Sequence, residues 1–183
     1  MTNALRRTVG PVALTCCLAL SLAACGGGRE YTVPQQACGV PLDKKALDPF
    51  LVDGEEFKVR GDSLGDPKVE YPRYCVIGVD GSRVVGIHLY KEDELVDPMD
   101  DLWSHRFENR EKVKDVPFGG LAAVGDRNAM VTTRCATPQA NYLIADMSFA
   151  AKAGDDLAER RKDIEAFALG FVAEMKKELG CTK

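Results

Sequence analysis

Histidine is nearly missing from this chain, which holds only His88 and His105. Aromatic residues are also scarce, at 7%, with Trp103 the single tryptophan. An aromatic binding surface would have to draw on Tyr71, Tyr74, Tyr90 and Trp103, and core packing is the simpler use for each of them. There is no basic excess, since the net charge is −4. A nucleic-acid-binding domain carries a basic face, so nucleic acid is not an expected partner. No apolar run reaches the roughly 20 residues needed to span a bilayer as a helix, because the stretch from Val9 to Leu22 soon meets Gly26–Gly28.

Familiar catalytic and binding patterns are absent too. Without a G-x-S-x-G elbow, and with only two histidines, a Ser/His/Asp hydrolase has few residues to build on. His88 falls in a strand, with Arg73 as its expected cross-strand neighbour, and His105 follows Trp103 in an expected helix. Packing or surface roles suit both better than catalysis. Gly119-Gly120-x-x-x-x-Gly125 lacks the Lys-Ser/Thr of a phosphate loop and leads into an expected strand, so it reads as a turn. The acidic stretch holding Asp93, Asp97, Asp100 and Asp101 offers hard oxygen ligands. Asp97 and Glu108 even take the first and twelfth positions of a calcium loop. Met99 and Leu102 stand where that loop needs an oxygen ligand and a glycine, so a solvated acidic turn is expected. No cofactor and no metal is expected, and the chain does not read as an enzyme.

The N-terminus is more informative. Arg6 and Arg7 precede an apolar stretch that ends in small residues, and no acidic residue occurs before Glu30. A positive segment, a short apolar core and small residues form a secretory signal. Leu22-Ala23-Ala24-Cys25 resembles the lipobox of bacterial lipoproteins. That resemblance implies cleavage after residue 24 and a diacylglyceryl group on the Cys25 thiol. Two or more acyl chains anchor stably where one is marginal. The expected organisation is a signal at 1–24, a lipidated cysteine and Gly-rich tether at 25–37, and one extracytoplasmic domain at 38–183. Residues 1–24 carry two of the 24 basic residues and none of the 28 acidic ones, so the remainder stands near −6. Such a charge disfavours adhesion to anionic lipid, leaving the lipid group as the expected membrane attachment, at the outer face of the cytoplasmic membrane.

Of the seven cysteines, Cys16 and Cys17 fall in the signal and Cys25 takes the lipid. Cys38, Cys75, Cys135 and Cys181 remain, an even set in an oxidising compartment, which predicts two disulfides. Without a Cys-x-x-Cys spacing, zinc and thioredoxin-like chemistry are disfavoured. Three pairings are open. Cys38–Cys75 with Cys135–Cys181 is favoured, each closing a loop of about 40–50 residues.

Periodicity outlines the domain. A short helix is expected over Pro41–Leu51 and a strand over Phe57–Arg60. A hairpin is expected from Tyr74 to Tyr90 about Asp80-Gly81, a pair that tolerates the positive φ of a type I′ turn. With this two-residue turn Val79 is expected to pair with Ser82, Ile77 with Val84 and Cys75 with Gly86, and both faces of the hairpin are expected to be apolar and covered. A second helix is expected from about Pro98 to Val113, then strands over Leu121–Val124, Ala129–Cys135 and Tyr142–Ala150. Asp155 or Asp156 should cap a long helix from Leu157 to Leu179. Its stripe is Leu157, Ile164, Phe167, Ala168, Phe171, Val172, Met175 and Leu179, and Gly180 should stop it. The class is α+β: an antiparallel sheet packed by a long C-terminal helix and stapled by two disulfides.

The lipobox, the four cysteines, Gly125-Asp126 before a strand, and a closing helix ending in Cys181 are similar to those of small actinobacterial lipoproteins of unknown function. The resemblance implies a lipid-tethered domain outside the cell and carries over no catalytic residue. On this reading the chain is a binding or interaction module. Its partners would be the membrane, reached through the diacylglyceryl cysteine, and an envelope protein or small ligand. An accessory subunit of an envelope complex and a small envelope enzyme are the alternatives.

Overall fold

The computed structural model describes residues 28–152 and 154–181, so Cys16, Cys17 and Cys25 lie outside the described residues. A small ladder opens the domain, β1 (Gln36–Ala37) with β2 (Val40–Pro41). Asp43 then caps α1 (Lys44–Leu47), its carboxylate accepting from the backbone N–H of Lys45 and Ala46. A 3-10 turn, Asp48–Phe50, follows. The expected helix over Pro41–Leu51 is thus split. Pro41 is held in a strand, and Asp43 is the first residue whose side chain can satisfy the free N–H groups of a helix start.

Seven strands form one antiparallel sheet: β3 (Phe57–Gly61), β4 (Arg73–Val79), β5 (Ser82–Glu92), β6 (Glu111–Lys112), β7 (Leu121–Val124), β8 (Asn128–Thr137) and β9 (Ala140–Phe149). Their spatial order is β3-β4-β5-β9-β8-β7-β6. The long helix α2 (Leu157–Glu178) lies across the inner face. Ile164, Phe167, Ala168, Phe171, Val172 and Met175 join Cys75, Ile77, Ile87, Leu89, Val131 and Met147 in one core. Each large apolar side chain removed from water in this way contributes about 1.5–3 kcal/mol. Asp156 caps α2 through the N–H groups of Ala158 and Glu159. Gly180 takes φ +68°, and the Cys181 N–H closes back on the Lys176 carbonyl at 2.9 Å. Leu157, expected in the apolar stripe, is 51% exposed, while Arg160 is 5% exposed. The Arg160 guanidinium reaches the carbonyls of Asp126 and Ala150 and the Asp155 carboxylate. Its charge is therefore hydrogen-bonded where it is buried.

The hairpin corrects the expected register. Asp80 and Gly81 both have positive φ, at 49° and 80°, as a type I′ turn requires. Val79 pairs with Ser82 and Gly78 with Arg83. The ladder then shifts at a bulge, so that Ile77 pairs with Val85 and Cys75 with Ile87. The extra residue places Arg73, Cys75, Ile77, Val85, Ile87 and Leu89 on the inner face. Tyr74, Val76, Gly86, His88 and Tyr90 take the outer one. The expectation of two covered apolar faces fails with the register: the inner residues are buried, while Tyr74 is 36% exposed.

The expected helix from Pro98 to Val113 is also shorter, a 3-10 turn over Asp101–Arg106. Asp97 and Asp100 each accept from the N–H two residues on, those of Met99 and Leu102. Such side-chain bonds compete with continuous helix. Arg110 then folds back onto the carbonyls of Pro98 and Asp100.

The structure pairs Cys38 with Cys75 and Cys135 with Cys181. The first bridge fixes the opening ladder to β4, and the second fixes the end of α2 to β8. Each contributes about 4 kcal/mol at most by restricting the unfolded chain.

Candidate binding face

The two halves of the outer sheet face differ. Over β8 and β9 the segment 93–110 forms a roof. The Thr132 hydroxyl donates to the Val96 carbonyl at 2.7 Å, the Asn128 amide donates to the Arg106 carbonyl, and Arg106 Nη1 meets Asp146 Oδ2 at 2.7 Å. Over β3, β4 and β5 there is instead a hollow of about 310 Å³, with Lys58, Arg60, Tyr74, Val76, Gly78 and Arg83 among its lining. A second hollow of about 380 Å³ adjoins it at Arg83 and includes His88, Asp146, Ser148, Arg106, Asn128 and Arg127.

Strand register builds this surface. Lys58 faces Gly78, Arg60 faces Val76, and Val76 in turn faces Gly86 across the hairpin. Arg83 reaches the same side because the bulge follows it. Gly86 leaves room here: a Cβ on it would lie 3.0 Å from Ser148 Oγ and 3.2 Å from Arg83 Cδ, a tight fit against both side chains. Without that carbon, the Arg83 side chain lies close along the sheet.

His88 is flanked by aromatic rings, its centroid 4.2 Å from Tyr74 and 6.1 Å from Tyr90. Its cross-strand neighbours are Tyr74 and Asp146, which corrects the expected Arg73. Burial pushes the His88 imidazole below its ordinary range, with Asp146 opposing. Burial raises the Asp146 carboxyl, and the Arg106 charge pulls it back down.

Ser148, His88 and Asp146 therefore line one hollow, a convergence that sequence reading did not find. Activating a serine needs a nucleophile–base contact of about 2.6–3.2 Å. Among the described residues no hydrogen bond joins these three, and Asp146 is held by Arg106.

The remaining candidates are dispersed. His105 is exposed in the 3-10 turn, and Tyr71 packs beneath the Arg73 guanidinium, 4.1 Å away. Trp103 is half-buried in the roof. Asp93 and Asp101 are exposed, Asp97 and Asp100 serve as turn caps, and among the described residues no cluster suited to a metal ion occurs. Gly119 and Gly120 form a turn leading into β7.

Arg60, Arg83, Gly86 and Ser148 were not singled out by the sequence reading. The period-two spacing of Lys58 and Arg60 was a signal for a shared strand face. Arg83 carried no such signal, because the bulge decides its side. Searches of protein-family models, curated proteins and solved structures find no match to this chain.

Proposed function

We propose that this chain is a lipid-anchored binding module at the outer face of the bacterial cytoplasmic membrane, holding its ligand on the open half of the sheet. The observation that carries the reading is the uneven cover of the outer face: the 93–110 roof crosses part of β8 and β9, while the hollow over β3–β5, and the one adjoining it that reaches Asp146 and Ser148, stand open. Two disulfides suit an oxidising compartment. The apolar core of the described residues runs from Ala37 to Leu179. From Gly28 on, the stretch expected as a tether is instead fastened to the domain, the Glu30 N–H donating to the Gly54 carbonyl at 2.8 Å and the Tyr31 hydroxyl to the Val52 carbonyl at 2.6 Å. Binding is favoured over turnover because Arg106 occupies Asp146 and Tyr74 and Tyr90 flank His88.

The test is the intact mass of the protein extracted gently from its own membrane. The expected mass is residues 25–183 plus a diacylglyceryl group, less the hydrogens lost to two disulfides, together with a discrete retained ligand. A mass without lipid removes the anchor. Turnover of an envelope substrate that disappears in His88→Ala or Ser148→Ala removes the binding reading.

An accessory subunit of an envelope complex is the second reading. It is favoured by the apolar side chains of Leu102, 69% exposed, and Leu95, 44% exposed, on the roof segment. Specific co-purification that Leu102→Asp abolishes would select it.

A further inference from the structure

The arginines are unevenly satisfied. Arg29, Arg106, Arg127, Arg160 and Arg161 meet carboxylates, while Arg73 and Arg110 donate to backbone carbonyls. Among the described residues Arg60, Arg83 and Arg134 have neither kind of partner. Two of these three, Arg60 and Arg83, line the same hollow, and Lys58 stands beside them, paired only to the exposed Glu56. In a chain of net charge −4, two unsatisfied guanidinium groups over one depression form a local charge that the rest of the surface does not predict.

Deepening the proposed binding role and resting on it, we infer that this hollow takes a small organic anion, a carboxylate or phosphate monoester on a flat, weakly polar body. The floor is Val76 with the backbone of Gly78 and Gly61, bordered by the Tyr74 ring, and it suits an apolar face. The rim of Arg60, Arg83 and Lys58 supplies the cations. Guanidinium forks match carboxylate and phosphate oxygens in pairs. The volume, about 310 Å³, lies at the lower end of small-ligand sites.

An extended anionic surface fits less well. At the turn end of the hairpin Asp80 holds the N–H groups of Glu55 and Glu56. A bilayer laid over this rim would also meet the exposed Glu56 carboxylate, which pairs with Lys58. A small molecule can reach Arg60 and Arg83, neither of which is paired to a carboxylate, beside the Lys58–Glu56 pair.

The probe is phenyl phosphate, titrated into the oxidised full-length protein and followed by calorimetry and by the amide signals of Val76, Gly78 and Arg83. Inorganic phosphate and benzyl alcohol separate the anionic from the apolar contribution. Phenyl phosphate is expected to bind saturably and more tightly than either. Arg60→Gln with Arg83→Gln should weaken it about tenfold or more, while Arg134→Gln, the same charge lost from β8, leaves it unchanged. Arg60, Arg83 and Arg134 are all exposed, so folding is retained, as a thermal melt checks. Absence of saturable shifts at these amides, benzyl alcohol binding as tightly, or full affinity in the double variant each overturns the anion site. Anionic vesicles binding with the same dependence on Arg60 and Arg83, where phenyl phosphate fails, would put a lipid surface in its place. Val76→Trp separates this inference from the broader one. If the ligand retained from the membrane is lost in Val76→Trp but kept in the double variant, the binding face stands and its anion chemistry falls. If neither variant affects it, the face itself falls.

Discussion

Arg161, in the second turn of α2, holds the carboxylate of Asp126 in the β7–β8 turn, with Nε 2.8 Å from Oδ1. The Asn109 amide donates to the other carboxylate oxygen at 2.7 Å. Asp126 is 5% exposed, so the pair pins the start of the helix to the far side of the sheet. The hydrogen bond from Arg161 holds the Asp126 carboxyl below the usual carboxylate range. A depressed folded value means stability that is fully present above the unfolded value of about 3.9 and is lost as pH falls through the folded one. Asp126→Asn should therefore lower the melting temperature most at neutral pH, and the difference from wild type should shrink below about pH 4. Thermal melts between pH 3 and 7 check this, and a difference independent of pH would refute the assignment.

Asp146 behaves in the opposite sense. Burial raises its carboxyl, and Arg106 offsets part of that effect. Removing the partner in Arg106→Met leaves a half-buried carboxylate and a loosened roof, at a cost of about 1–3 kcal/mol at neutral pH. A raised folded value means that protonation favours the folded state, so the deficit should narrow as pH falls from the folded value toward about 3.9. Urea unfolding at pH 7 and pH 4.5 measures both quantities.

Lys176 reaches the Thr133 hydroxyl at 2.8 Å and lies over the Phe118 ring. Burial lowers its pKa. Its ammonium charge is therefore held at a desolvation cost, and the folded state gains as pH rises from the folded value toward about 10.4. Lys176→Met should be close to neutral or stabilising at pH 7, since Thr133 also donates to the Gly119 carbonyl. That advantage over wild type should decline toward pH 10, as paired denaturation curves would show.

Gly170 lies exposed within α2, and a Cβ there would meet nothing within 4 Å. Gly170→Ala should stabilise the domain by about 1 kcal/mol, because alanine loses less backbone freedom in a helix. The melting temperature should rise by about 2–4 °C. No rise would mean that the helix is not continuous through this residue in solution.

Replacing both Cys135 and Cys181 with alanine removes the bridge that closes a separation of 46 residues. The expected loss is about 2–4 kcal/mol. Amide exchange should quicken first at Met175–Cys181, where the bridge holds the end of α2 against β8. Faster exchange confined to β3 would contradict that placement.

Residues adjacent in the chain determined a good part of this protein by themselves. Asp80-Gly81 imposes its turn because both residues accept positive φ. Asp156, the apolar stripe from Ile164 to Met175 and Gly180 bound α2 because caps and periodicity are local properties of a helix. The antiparallel sheet, the α+β class and the closing helix were legible for the same reason.

The candidate site was not legible, because its geometry depends on parity and distance. One extra residue in β5 inverts the side of the sheet that each later side chain takes, and so sets His88 against Tyr74 and Asp146. The roof depends on contacts such as Thr132 with Val96, 36 residues apart. Nothing in either segment announces the other. Arg160, charged yet buried, took the place of Leu157 because carbonyls of the β7–β8 turn and of the stretch after β9 converge on it. Local sequence chose the elements. Tertiary packing decided which faces they share, and left one half of the sheet open.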